Sequence, residues 1–327
     1  MTATLTRRGL GAATFGLLPA AAAAQPAAYP GTRPVSIVVS FAPGGSTDTV
    51  ARIVAQQLQR ILGGSFVVEN RPGASGTIGS GHVARARPDG YTLLFAGSGT
   101  YSMSGHLYPQ RGYDEETNFT PIGSVSTSSL FMCLSPKHPM RDIGAFIARA
   151  KAEPGKLSYA SSGAGSSAHM ITELFLEGAG IQVENITYRG GAPAMQALIT
   201  GEVQMAFVEA VTALPQMRNG DIIGVAVTSA QRSPLAPDVP TIAEAAVPGF
   251  EGTTLLAMFA PAGTPDEIIQ RLHRGVAEAM QVPEVMATLR TGAVFPRVMT
   301  PEEFRPFLTS ERRRWLAVIR SRGISAQ

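Results

Sequence analysis

The stretch that decides the fold is Val35-Ser-Ile-Val-Val-Ser-Phe-Ala-Pro-Gly-Gly-Ser-Thr-Asp48. Its first six residues are rich in β-branched side chains, which predicts a strand, and a glycine-rich loop follows. Apolar residues then recur at helical spacing from Val50 to Leu62, until Gly63 and Gly64 end the helix. A strand, a loop and a helix in this order predict the first unit of an α/β fold.

The same order repeats along the chain, which predicts parallel sheets with right-handed crossovers. A second glycine-rich loop, Arg71–Ile78, also leads into a predicted helix. Further strands are predicted over 65–70, 91–97, 119–125, 130–135, 157–161, 185–189, 203–208, 223–228 and 255–260, and further helices over 141–152, 166–178, 192–200, 265–280, 283–290 and 301–320.

The order of these elements predicts two lobes. A chain of 327 residues is long enough for two domains. We expect a discontinuous first lobe over 30–127 plus 254–327 and a second lobe over 128–253, joined by two crossing segments near 120–130 and 250–260. Such an architecture places a ligand cleft between the lobes and a hinge that can close on the ligand.

The N-terminus has the layout of a cleaved signal peptide over residues 1–24. Arg7 and Arg8 precede a short apolar stretch that ends in the small residues Ala22-Ala-Ala24. Thr6-Arg-Arg-Gly-Leu10 also resembles the twin-arginine motif, so the Tat and Sec routes both stay open. We predict a periplasmic protein without direct membrane insertion, because no other window is long and apolar enough to span a bilayer.

Charge and cysteine content exclude several classes of protein. The net charge is only +3 and the basic residues are dispersed, so no nucleic-acid partner is expected. Arg312-Arg-Arg314 is the one local basic run, and we expect it to be a solvated helix end. Cys133, the single cysteine, lies in an apolar run and is predicted to be buried in the core. We further expect a monomer that binds no cofactor and no metal.

Four loops rich in Gly, Ser and Thr follow predicted strands. In an open sheet, ligands lie beyond the carboxyl ends of the strands, where helix N-termini present free N–H groups. Two such termini, one from each lobe, can hold a carboxylate without an arginine. The candidate ligand-binding residues in and beside these loops are Ala42, Pro43, Gly44, Gly45, Ser46, Thr47, Asp48, Ser98, Gly99, Thr100, Ser162, Gly163, Ser166, Ser167, His169, Arg189, Gly190, Gly191 and Glu209.

Three of these candidates have a second interpretation. Asp48 also suits the first turn of a helix, where a carboxylate complements the dipole. His169 either faces the ligand or stabilises its helix, and Glu209 either meets an amine or hydroxyl of the ligand or lies on the surface.

Enzymatic alternatives find little support in the sequence. Gly163-Ala-Gly-Ser-Ser-Ala168 fits a dinucleotide-binding pattern, but the acidic residue that should end the next strand is displaced to Glu184. The motifs G-x-S-x-G and H-E-x-x-H are absent. The sequence therefore favours a binding protein over an exported enzyme.

Taken together, these stretches resemble the Bug (TctC-type) family, the substrate-binding proteins of tripartite tricarboxylate transporters. The matching stretches are Val38–Asp48, Val68–Gly79, Arg87–Leu94, Pro154–Gly163, Tyr188–Ala194, Pro237–Glu244 and Ala260–Pro265. The resemblance implies a periplasmic-binding-protein type II fold with two Rossmann-like lobes. It also implies capture of a small carboxylate between the lobes and delivery to the permease subunits of a transporter. Presentation of the ligand to a membrane receptor, as in a sensor, is an open alternative.

Two departures from the family pattern bear on the ligand. Relatives usually carry Phe-Pro-Ala-Gly-Gly where this chain has Phe41-Ala-Pro-Gly-Gly45, and many carry Phe-Asp-Asn where it has Phe207-Val-Glu209. An aspartate can bind the ammonium group of a ligand and Val208 cannot. Either Glu209 substitutes from a shifted position or the ligand lacks an amine.

Overall fold

A computed structural model describes residues 1–2, 29–188 and 190–324 of the chain. All but the first two residues of the predicted signal peptide lie outside the described residues, and so does Arg189.

The described strands are β1 (Val35–Val39), β2 (Phe66–Asn70), β3 (Thr92–Gly97), β4 (Phe119–Leu134), β5 (Ser158–Ser161), β6 (Glu184–Thr187), β7 (Met205–Glu209), β8 (Ile223–Val227), β9 (Thr253–Pro261) and β10 (Val294–Pro296). The described helices are α1 (Ser46–Leu62), α2 (Thr77–Ala84), α3 (Ser104–Leu107), α4 (Ile143–Ala152), α5 (Ser167–Ala179), α6 (Gly191–Thr200), α7 (Ala210–Asn219), α8 (Ile242–Ala245), α9 (Asp266–Ala279), α10 (Pro283–Thr291) and α11 (Pro301–Ser321).

Two sheets share the long strand β4. The strands follow the order β2-β1-β3-β9-β4-β7-β5-β6, and β10 and β8 also pair with β4. Pairing is parallel within β2-β1-β3 and within β6-β5-β7, as predicted. It is antiparallel wherever β4 or β9 takes part. The predicted parallel pairing therefore does not extend to the centre, because β4 and β9 carry the chain between the two halves in opposite directions.

The strand β4 replaces two shorter predicted strands, 119–125 and 130–135. The intervening polar run, Ser126-Thr-Ser-Ser129, interrupts the apolar pattern but continues the pairing with β9. Ser126, Ser128 and Ser129 are buried there because the strand passes from one sheet to the other. The backbone N–H and C=O groups of a buried strand are hydrogen-bonded to the neighbouring strands, so polar side chains do not end the strand.

Each half has its own hydrophobic core. The first packs α1 and α9 on β1 and β3, with Leu58 and Leu272 among its buried side chains. The second packs α4 and α5 on β5 and β7, with Phe146 and Phe175 at its centre. Cys133 is fully buried on β4, which confirms the prediction of a core cysteine, and burial raises the pKa of its thiol.

The C-terminal helix α11 packs against both halves. Phe304 lies in a cluster with Tyr101 and Phe259 from the first half. Trp315 and Ile319, farther along the helix, belong to the core of the second half. The residue boundaries of the two lobes remain a prediction. The helix α11 contributes buried side chains to the cores of both halves.

The predicted solvated helix end at Arg312–Arg314 is wrong for Arg312. Its side chain is only 13% exposed. Its guanidinium donates hydrogen bonds to the carbonyl oxygens of Tyr101 and Glu115 and pairs with Glu116 at 3.1 Å. This arginine therefore fastens α11 to the first half.

Candidate ligand-binding site

The segments that follow β3 and β5 meet between the two halves, and the predicted loop after β3 is a π-helix from Gly99 to Met103. The backbone N–H of Gly99 donates to Ser167 Oγ at 3.3 Å. A Cβ atom placed on Gly99 would lie 2.9 Å from the backbone nitrogen of Ser167, so only glycine permits this approach. Two of the four predicted loops therefore touch across the cleft.

The N-terminus of α1 provides free backbone donors. Gly45 is its N-cap residue and contributes no side-chain cap. The first N–H groups of a helix have no partner within the helix, and such groups bind anions. Ser46, Thr47 and Asp48 in the first turn are buried, whereas the preceding residues 42–45 are exposed.

Asp48 is bound within its own half. Its carboxylate accepts hydrogen bonds from the backbone N–H of Gly44 at 3.0 Å, from Asn70 Nδ2 at 2.8 Å and from Arg52 Nε at 3.0 Å. Burial alone would raise the pKa of this carboxyl, but the bonds from Arg52, Gly44 and Asn70 hold it below its usual value. This geometry favours the second interpretation, in which Asp48 shapes the loop and supports the helix terminus.

Buried serine hydroxyls without a hydrogen-bond partner among the described residues include two at the carboxyl ends of strands. They belong to Ser98 after β3 and Ser161 at the end of β5, and these residues are only 2% and 1% exposed. A buried hydroxyl without a partner is costly, and such groups are normally bonded to protein, water or ligand. Both lie at the ends of strands where ligands bind in open α/β sheets.

Glu209 brings the second half to the N-terminus of α1. It is the last residue of β7 and the N-cap residue of α7, which has no side-chain cap. Its carboxyl interacts with the hydroxyl and the backbone N–H of Ser46, both of which lower its pKa, but burial has the larger effect and raises that pKa above its usual value. The termini of α1 and α7 thus lie on either side of one acidic side chain.

His169 is turned towards its own loop. Its Nδ1 accepts a hydrogen bond from the backbone N–H of Gly165 at 2.9 Å, so the ring hydrogen is on Nε2. Its backbone N–H donates to Ser166 Oγ, which caps α5. Burial lowers the pKa of the imidazole, which favours the neutral form, and the ring stacks on Tyr159. These contacts agree with a role in holding the loop and the helix.

The remaining candidates are less closely joined. Gly190 is the N-cap residue of α6 and Gly191 its first residue, and a Cβ atom on either would meet no neighbour within 4 Å. Arg189 lies outside the described residues. Ser162 and Gly163 are half-buried in the loop before α5.

Sequence reasoning missed a fifth loop at the cleft. Ser75, in the glycine-rich loop before α2, donates its hydroxyl to the carbonyl oxygen of Ala164 in the other half. Tyr108 Oη donates to the same oxygen at 3.3 Å. The loop Arg71–Ile78 is rich in glycine like the four loops selected as candidates, and this composition is the sequence signal that could have identified it.

One groove of the described chain lies away from these strand ends. An open groove of about 620 Å³, lined by Arg33, His82, Arg85 and Arg87 among others, lies at the amino ends of β1 and β3. That end of a parallel sheet is opposite to the one where ligands bind. Within the described ranges, no three His, Cys, Asp or Glu side chains are grouped as metal ligands, and no helix is long and apolar enough to cross a membrane.

Two α/β lobes joined by crossing strands, with uncapped helix N-termini and buried hydroxyls between them, define a solute-binding receptor. The chain belongs to the TctC family, because the model of the "Tripartite tricarboxylate transporter family receptor" matches residues 50–324. Proteins of this family are periplasmic solute-binding receptors.

Curated and solved relatives agree with this assignment. Protein BugT of Bordetella pertussis is 36% identical over 324 residues, which cover 99% of this chain and 98% of BugT. The structure of R. palustris Rpa4515 with adipate is 34% identical, with a TM-score of 0.85, and the match covers 91% of this chain and 99% of that one. MatC (Rpa3494) from Rhodopseudomonas palustris with bound malate is 30% identical, with a TM-score of 0.80 over 87% and 98% of the two chains. The predicted family and fold class are thereby confirmed.

Proposed function

We propose that this protein captures a small organic acid between its lobes and delivers it to the membrane subunits of a tripartite tricarboxylate transporter. The observation that carries the proposal is the pair of buried, unpartnered hydroxyls of Ser98 and Ser161, together with the uncapped N-terminus of α1. Relatives whose structures hold adipate and malate support the choice of a carboxylate.

The carboxylate binds through dipoles and hydroxyl groups. Backbone N–H groups of the first turn of α1 and the hydroxyls of Ser98 and Ser161 donate to its oxygens. Each hydrogen bond to a charged group contributes about 1.5–3 kcal/mol, and an exposed helix terminus adds about 0.3–1 kcal/mol. Arg52 is the arginine of α1 that lies nearest to the helix N-terminus. It is bound to Asp48 and Asn70 and does not contact the ligand in this proposal.

The ligand lacks an amine in this proposal. Val208 is apolar at the position where many relatives carry an aspartate. Glu209 interacts with Ser46 and lies beside the carboxylate end of the site, so it is poorly placed to bind an ammonium group at the far end of a ligand.

Export follows from the sequence alone. We propose that residues 1–24 direct the chain to the periplasm and are then removed, which leaves a receptor that meets its ligand there.

Calorimetric titration of the purified chain 25–327 tests the proposal. The panel contains adipate, malate, succinate, aspartate and the neutral diamide of adipic acid as a matched control. We expect binding of at least one amine-free acid and no binding of the diamide, since the diamide lacks the charge that the helix terminus favours. Binding of a neutral or cationic compound alone would overturn the proposal. Uptake of the bound acid by membrane vesicles that contain the permease subunits separates a transport role from a sensory one.

A further inference from the structure

We propose that Ser75 and Tyr108 are positioning residues of the ligand site, which together hold the loop before α5 against the first lobe. Ser75, Tyr108 and the carbonyl oxygen of Ala164 together form a latch. The binding readout rests on the proposed function, whereas the existence of the latch does not.

Both hydroxyls of the latch share one acceptor across the cleft. Ser75 Oγ donates to Ala164 O, and Tyr108 Oη donates to the same oxygen at 3.3 Å. The two hydroxyl oxygens are themselves 3.3 Å apart. A carbonyl oxygen has two lone pairs, so it can accept both bonds.

The backbone of Ser75 is held in an unfavourable conformation. Ala74 and Ser75 have φ angles of 44° and 50°, a left-handed conformation that non-glycine residues seldom adopt. Two hydroxyls of the same lobe fix the carbonyl oxygen of Ser75, Ser104 Oγ at 3.1 Å and Thr100 Oγ1 at 3.4 Å. Strained residues that their surroundings fix in this way are concentrated at functional sites.

The acceptor belongs to a segment that controls the site. Ala164 lies between Gly163 and Gly165, and the N–H of Gly165 is bound to the buried ring of His169. A Cβ atom on Gly165 would overlap the side chain of Leu107, so this loop lies closely against α3. The next residues are the cap of α5 and Ser167, whose hydroxyl accepts from Gly99. The latch therefore forms only when the lobes are together, and it sets the position of Ser167.

Three variants test the latch: Ser75→Ala, Tyr108→Phe and the double variant. Thr288→Ala is the matched control, because Thr288 Oγ1 also donates to a backbone carbonyl, at 2.8 Å, but within α10 alone. Amide hydrogen exchange of the segment 163–169 is measured without ligand and with saturating adipate. The dissociation rate of adipate is measured by stopped flow.

We expect faster exchange in this segment for every latch variant and a dissociation rate about fivefold higher for each single change. The association rate changes by less than about twofold, since the latch forms after encounter. The double variant falls short of the sum of the two single effects, because both hydroxyls bind one oxygen. Thr288→Ala leaves both measurements unchanged.

Unchanged exchange of the segment 163–169 in the double variant, with and without adipate, overturns the inference. Failure of the wild-type protein to bind any acid of the panel overturns the proposed function, and the exchange comparison without ligand still decides on the latch. If Ser75→Ala fails to fold, Ser75→Gly replaces it, because glycine removes the hydroxyl and accepts the left-handed conformation. Amide exchange of the segment 163–169 in Ser75→Gly that is as slow as in the wild-type protein would equally contradict the latch.

Discussion

Replacing Gly99 with alanine tests whether the two lobes must touch at the β3 loop for a ligand to be held. The added methyl group would lie 2.9 Å from Ser167 N, 3.1 Å from Gly165 O and 3.2 Å from Ser167 Oγ. All three atoms belong to the loop before α5 or to the first residue of α5, in the other lobe, so the overlap exists only while the cleft is closed. Overpacking of this kind costs about 1–3 kcal/mol, which corresponds to about 5- to 150-fold weaker binding.

Gly97→Ala is the matched control for this prediction. It lies two residues earlier, at the end of β3, and its added methyl group would meet Leu256 and Thr254 at 3.5 Å, an ordinary contact distance. Calorimetric titration with adipate measures the affinity, and thermal unfolding without ligand measures stability. We expect Gly99→Ala to lose affinity while its unfolding temperature stays close to that of the wild-type protein. Wild-type affinity in Gly99→Ala would refute the reasoning, and so would an equal loss in Gly97→Ala.

Three further changes test Ser98, Glu209 and Asp48. Ser98→Ala should weaken adipate binding about tenfold, yet leave the ligand-free unfolding temperature equal or higher, because it removes an unpartnered buried hydroxyl. Ser126→Ala, which removes another such hydroxyl from β4, should leave the affinity unchanged. Burial raises the pKa of Glu209 above its usual 4.5, so its contribution to stability is present below about pH 4.5 and is lost as the pH rises through the raised pKa. Over that interval the unfolding temperature of the wild-type protein should fall relative to that of Glu209→Gln. If the unfolding temperatures of the two proteins keep a constant difference across this pH range, the raised pKa of Glu209 is contradicted. Asp48→Asn should lower the free energy of unfolding by about 1–3 kcal/mol at pH 7. The difference in unfolding free energy between wild type and variant should narrow below about pH 3.8, because the stabilisation that comes from the lowered pKa of Asp48 is lost as the carboxyl is protonated. Denaturant titrations at pH 7 and below pH 3.8 measure both free energies.

Local patterns predicted the first β-loop-α unit because every signal in it is local. The β-branched run gives β1, and the helical spacing that ends at Gly63 gives α1. The helix α7 escaped prediction because Pro215 lies inside it and because it begins directly after β7 without a loop. Antiparallel pairing of β4 and β9 depends on how the chain passes between lobes, which no local pattern records.

The same distinction applies to the site. The cap of α5 by Ser166 follows from residue type and spacing alone. The approach of Glu209 to Ser46, and of Ser75 to Ala164, joins residues that are far apart in the sequence and belong to different lobes. Which of several glycine-rich loops meet is a property of the assembled lobes.

A helix that belongs to two cores gives the receptor an internal reporter of its own movement. Any rotation that parts the lobes must either bend α11 beyond Arg312 or withdraw Trp315 from the cluster around Phe175. Trp315 is the only tryptophan of the chain, and its indole Nε1 donates to Glu311 at 3.0 Å. We therefore expect the native fluorescence of the unlabelled protein to change as the lobes part, without a dye and without an added cysteine.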